Sequence, residues 1–115
     1  MYAVNGTTIV LTRGDTFICD VEIDADGEPY VPKEGESVRF AVKRKLFTPD
    51  KGNYVDSVPL IHKDIPIGSM MLQLLPEDTK KLKFGIYAYD VEITMTDGKV
   101  DTFLSGDLDL RPEVE

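Results

Sequence analysis

Apolar residues fall at every second position through much of this chain, and that spacing constrains its fold more than any other feature. A strand turns successive side chains to opposite faces, so alternation marks a strand with one dry face and one wet face. In "TFICDVEI", Phe17, Cys19, Val21 and Ile23 share a face, with Asp20 and Glu22 on the other. In "SVRFAVK", Val38, Phe40 and Val42 do the same, leaving Arg39 and Lys43 outward. "GIYAYDVEITM" repeats the pattern through Tyr87, Tyr89, Val91, Ile93 and Met95. Asp26-Gly27 and Asp97-Gly98 are dipeptides suited to tight hairpin turns, because both readily take positive φ. The second leads into "KVDTFLSGDLDL", where Val100, Leu104, Leu108 and Leu110 share a parity that Phe103 breaks. A bulge near Thr102 or Phe103 reconciles them.

Further strands are expected at 7–12, 59–65 and 70–75. That makes about seven short strands with turn signals between them, the rhythm of an all-β, antiparallel, immunoglobulin-like β-sandwich. With 115 residues the chain is expected to form a single domain, residues 1–115. The one helical candidate is "PEDTKKL" at 76–82: Pro76 can open a helix, and the two acids beside it suit the positive end of its dipole. "RKLFTPDKGNYVDSV", residues 44–58, has no clear strand character and exceeds the usual loop length, so it reads as a long functional or mobile loop. Arg13-Gly14-Asp15 in "TRGDTF" spells a tripeptide that integrins can read, but between two strands Gly and Asp are turn residues, and a turn is expected.

The chemistry sought in the sequence is mostly missing. Thirteen basic against twenty-one acidic side chains give a formal charge of −8, which repels nucleic acid and anionic membrane surfaces. The chain shows no signal peptide or membrane span, so synthesis in the cytoplasm and a soluble product are expected. Cys19 is the only cysteine, which precludes an internal disulfide, and its parity with Phe17 and Val21 suits an inert core thiol. Glu22, Asp24, Asp26 and Gly27 imitate the start of a calcium loop, but its twelfth position is Lys33. His62, the only histidine, has no second nitrogen or thiolate ligand for zinc. Ser37, Ser57, Ser69 and Ser105 lie in no nucleophile elbow, and Asp101, Asp107 and Asp109 alternate as a wet strand face does. No catalytic, cofactor or metal site is expected, and the chain is not read as an enzyme. Tyr87 and Tyr89 are read as structural, placed to tie down the corner before the penultimate strand.

Taken in order, "LTRGDTF", "DADGEPYVPKEGESVRFAVKR" and "LLPEDTKKLKFGIYAYDVEITMTDGKVDTFLSGDLDLRPEVE" resemble the small β-sandwich proteins of tailed phages and prophages of Gram-positive bacteria. The likeness is to the N-terminal domain of upper baseplate proteins and covers nearly the whole chain. It implies a virion component, a non-enzymatic module of tail or baseplate assembly made in the bacterial host. One departure is that this chain stops at Glu115, where the baseplate protein carries further domains. The expected partners are other tail or baseplate subunits, or further copies of the chain, with no nucleic acid and no membrane. The candidate contact residues are Lys43, Arg44, Lys45, Phe47 and Tyr54, a basic cluster and two aromatics in or beside the long loop. The alternative is a carbohydrate- or cell-surface-binding sandwich, in which Phe47 and Tyr54 would stack on a glycan.

Overall fold

The alternating segments fold as strands. In the computed structural model, which describes residues 2–5, 7–25 and 27–112, the chain runs β1 (Tyr2–Asn5), β2 (Thr8–Thr12), β3 (Phe17–Asp20), β4 (Ile23–Ala25), β5 (Glu28–Tyr30), β6 (Ser37–Thr48), β7 (Gly52–Ile65), β8 (Met71–Leu74), α1 (Pro76–Thr79), β9 (Gly85–Thr94) and β10 (Val100–Arg111). Among the described residues, six strands make one sheet in the order β1-β2-β10-β9-β6-β7. Its pairings are antiparallel except that of β2 with β10, which is parallel. β3 and β8 form a small second layer, and β4 and β5 a separate hairpin. The all-β fold expected from the alternation is the fold observed.

Val38, Phe40 and Val42 of β6, Tyr89 and Val91 of β9, and Leu108 and Leu110 of β10 turn inward and are buried with Phe17, Leu72 and Leu74 of the small layer. Fully burying one such side chain contributes about 1.5–3 kcal/mol, so these positions carry the fold. The register of β10 on β9 shifts between Thr102 and Leu104, the bulge that Phe103 requires. Gly98 turns the β9–β10 hairpin at φ 90°. Asp26 of the other expected turn lies outside the described residues, although Ala25 and Glu28 beside it pair as a hairpin would have them.

The Arg13-Gly14-Asp15 segment is a turn, tied to the body of the protein. Asp15 donates its backbone N–H to the Thr12 carbonyl at 3.1 Å, and Gly14 donates to the hydroxyl of buried Thr79 at 3.0 Å. The Arg13 guanidinium lies 4.2 Å from the centre of the Phe84 ring.

Three expectations need correction. The segment 16–23 is not one strand: β3 ends at Asp20, Val21 donates to the Met70 carbonyl at 2.8 Å, and the chain then turns into β4. The helix is shorter than 76–82, because Leu82 already bonds back to Thr79 at 3.0 Å before the chain enters β9. Most important, residues 44–58 are not a loop. All but the turn at 49–51 belong to β6 and β7, which pair as far as Thr48 and Gly52. Neither face of this stretch is fully buried, and apolar residues fall on both, Leu46 and Tyr54 on the half-buried face and Phe47 and Val55 on the exposed one, so the alternation that reveals other strands is lost.

Candidate functional site

β6 is longer than the sheet that supports it. It pairs with β9 only from Ser37 to Lys43, but with β7 on to Thr48. Beyond Lys43 the two strands therefore form an arm with no third strand beside it. The tip is closed by Pro49, Asp50 and Lys51: Pro49 suits the second position of a turn, the Thr48 hydroxyl accepts the Lys51 N–H at 3.2 Å, and Gly52 takes φ 67°. Lys43 stands opposite Pro59 and Lys45 opposite Val55, so β7 carries excess residues around Asp56, Ser57 and Val58. The Asp56 carboxylate accepts the Val58 N–H at 3.3 Å within this irregular stretch. Extra residues on one strand bend a two-stranded ribbon, and here the excess lies at the root of the arm.

Ion pairs define the two faces. Lys43 Nζ lies 3.5 Å from Asp90 Oδ2, and Lys45 reaches over β9 to Asp107 on β10. Both lysines thus face the outer surface of the large sheet. Phe47, two residues on, shares that face with its partner Asn53 and with Val55. Phe47 is 67% exposed and Val55 49%. Leu46 and its partner Tyr54 occupy the opposite face, where the Lys51 ammonium sits 5.1 Å from the Tyr54 ring centre. Arg44, with the parity of Leu46, lines a hollow beside Leu82, Lys83 and Phe84. Four of the five residues expected from the sequence thus share one arm, with Lys43 at its root, but its two aromatics stand back to back. A platform stacking one ligand on both rings is not formed.

At the root of the arm, the outer face holds a groove of about 580 Å³ lined by Lys43, Lys45, Ser57, Asp90 and Asp107. Beside it Arg39 Nη1 donates to His62 Nε2 at 2.9 Å. Asp109 pairs with Arg111 at 3.1 Å, so Asp107 and Asp109 each face a cation rather than one another. Among the described residues no three His, Cys, Asp or Glu side chains gather as a metal site would need. No helix among them is long and apolar enough to cross a membrane.

A second feature lies between the layers and was not legible in the sequence. The small layer of β3 and β8 leaves a cleft of about 290 Å³ lined by Phe17, Cys19, Phe40, Leu72, Tyr89 and Leu104. Asp20 and Glu22, both exposed, stand at its margin. Burial, and secondarily the negative charge of Asp20, push the Cys19 thiol up from its ordinary value. At neutral pH it is held as the unreactive thiol. Burial likewise raises the Tyr89 pKa, aided by Cys19 and Asp107. The Tyr87 hydroxyl donates to the Lys83 carbonyl four residues upstream, and that of Tyr89 to the Thr7 carbonyl, so both tyrosines bond to backbone. The extent of this cleft depends on how many strands each layer receives, which no local pattern records.

Comparison of the chain with protein-family models, with curated proteins and with solved structures finds no match in any of the three.

Proposed function

We propose that this chain is a non-enzymatic structural and interaction module of a phage or prophage particle, a tail or baseplate component of the virion that docks other subunits through the β6–β7 arm. The observation that carries this reading is the exposed Phe47 on an arm unsupported by the rest of the sheet. An aromatic held on a paired strand loses little freedom on docking, and aromatics supply much of the energy of interfaces. Arg44 and Lys51 place cations on the Tyr54 face of the arm, while Lys43 and Lys45 are paired with Asp90 and Asp107 of the sheet; on a chain of formal charge −8 that local difference orients the approach of a partner. β7 is also the outermost strand on its side of the sheet, so its free edge is a template for pairing. Pro59, which lacks an N–H, interrupts that template at the root of the arm.

The alternative reading, a carbohydrate- or cell-surface-binding module, draws less support. Sugar rings are gripped by aromatic faces, and the arm offers a ligand only one of its two aromatics on either face.

The test is co-sedimentation of the purified chain with the products of neighbouring genes, native against Phe47→Ser. The expected result is a complex that forms with the native chain and is lost in a variant whose melting temperature is unchanged. Binding to cell-wall glycans with no binding to tail subunits would replace this reading with the alternative.

A further inference from the structure

We infer that the edge of β6 beyond Lys43 docks an extended acidic segment of a partner subunit as an added strand, its carboxylates over the basic hollow beside that edge. This rests on the assembly reading and names the chemistry of the partner. From Ser37 to Lys43 the edge of β6 is occupied by β9, and from Arg44 to Thr48 it meets no strand among the described residues. β9 in turn pairs with β10 as far as Gly85 but leaves Gly85, Ile86 and Tyr87 without a strand partner toward β6. Arg44 and Lys45 from one edge and these three residues from the other line a single hollow of about 620 Å³, so the two strands part around it. Unpaired backbone N–H and C=O groups at such an edge are the template on which extended peptides add. The outer edge of β7 is interrupted by Pro59, whereas no proline stands between Arg44 and Thr48.

Charge selects the occupant. Among the described residues, the cations Arg44, Lys45, Lys81 and Lys83 line the hollow and no carboxylate does, on a chain of formal charge −8. Lys45 is bound to Asp107, whereas Arg44, Lys81 and Lys83 are exposed and make no ion pair among the described residues. A segment rich in Asp and Glu is attracted there and repelled by most of the remaining surface, while nucleic acid is repelled by the net charge and has no strand to offer the free edge. Side chains of an added strand alternate between faces. One set comes over Arg44 with the apolar Leu82 and Phe84 of the hollow, and the other passes Phe47 on the opposite face. The fitting sequence therefore alternates acidic with apolar residues, and the apolar set covers exposed Phe47.

Calorimetric titration of the full chain with a synthetic peptide of about eight residues alternating Glu and Val, within the usual length of a strand, tests this. Binding is expected, and it is expected to weaken at least about tenfold in Arg44→Glu and in Lys83→Glu, where attraction is turned to repulsion. Lys99→Glu, in the hairpin at the other end of β9, is expected to leave it unchanged. All three residues are exposed, and equal melting temperatures are the check that the variants fold. Two further peptides separate strand pairing from charge and need only the native chain: each is N-methylated at alternate amides, in one register or the other. Only the peptide whose methyl groups point away from β6 is expected to bind, and equal binding of both overturns the proposal. It is overturned as well if the Glu–Val peptide does not bind, if a Lys–Val peptide binds equally, or if an oligonucleotide binds as tightly. Self-association of the chain through Arg44 and Lys83 in place of peptide binding also overturns it. A chain that captures tail subunits through Phe47 yet ignores the peptide overturns this inference alone. One that binds the peptide and captures no tail subunit upholds the docking of acidic strands and overturns the assembly reading.

Discussion

Tyr89 donates its hydroxyl hydrogen to the carbonyl of Thr7, a residue 82 positions earlier in the chain. Gly106, opposite Tyr89 on β10, makes room for this contact, because a β-carbon there would overlap the Thr7 carbonyl. The turn before β2 is thereby fastened to the middle of the sheet. Tyr89→Phe is expected to lower stability by about 1 kcal/mol, the typical net worth of a hydrogen bond. Gly106→Ala is expected to cost about 1–3 kcal/mol through overpacking. Urea denaturation measures both, and a Gly106→Ala chain as stable as the native one would show that Thr7 is not held against β10.

Glu36 confers a dependence on acid. Its carboxylate accepts the Tyr30 hydroxyl at 2.7 and 2.8 Å and the Lys33 N–H at 2.7 Å. The Tyr30 bond chiefly, then that from Lys33, hold its pKa below the ordinary 4.5. A carboxylate depressed in the folded state stabilises fully above its unfolded pKa, and that contribution is lost as pH falls through the folded value. The stability difference between native chain and Glu36→Gln is therefore expected at neutral pH and to shrink below pH 4.5. A difference that stays constant with pH would contradict the assignment.

Cys19 is expected to react slowly with thiol reagents. Its pKa is raised from the ordinary 9.0, first by burial and then by Asp20, and the thiolate is the reactive form. Kinetics with a chromogenic disulfide in dilute solution should show a rate well below that of a free cysteine at pH 7, rising through the alkaline range. Asp20→Asn is expected to increase the rate at pH 7. Reaction as fast as that of free cysteine would show that the cleft does not shield the thiol.

Arg13 is expected to matter for stability and not for adhesion. Its guanidinium stacks on Phe84 and donates to the Leu82 carbonyl at 3.4 Å, tying the turn after β2 to the segment before β9. Arg13→Ala should cost about 0.5–1 kcal/mol, the range of an exposed cation–π contact. Animal cells are expected not to attach through this turn, with Asp15→Glu making no difference. Arg13-dependent attachment would reverse this reading.

The strands with one dry face were legible in the sequence. Val38, Phe40 and Val42, then Tyr87, Tyr89, Val91 and Ile93 are buried as their spacing requires, whereas in 16–23 the strand ends at Asp20 and Val21 and Ile23 are buried beyond it. The β10 bulge followed from the broken parity of Phe103. These features can be read locally because each records only which side of a strand meets water. The candidate contact residues could be named too, since basic and aromatic side chains close together in an acidic chain stand out by composition.

Only the tertiary structure decided what those residues are attached to and which way they face. That 44–58 is an arm and not a loop depends on pairing between Phe47 and Asn53 and between Leu46 and Tyr54, and the same pairing sets Phe47 and Tyr54 on opposite faces. The parallel contact of β2 with β10 joins Ile9 to Leu108, nearly the whole chain apart. The cleft around Cys19 exists because a two-stranded layer covers part of a six-stranded sheet. Backbone hydrogen bonds are the same whichever strand supplies them, so the choice of partner is made by the joint packing of distant side chains and leaves no periodic mark on any one segment.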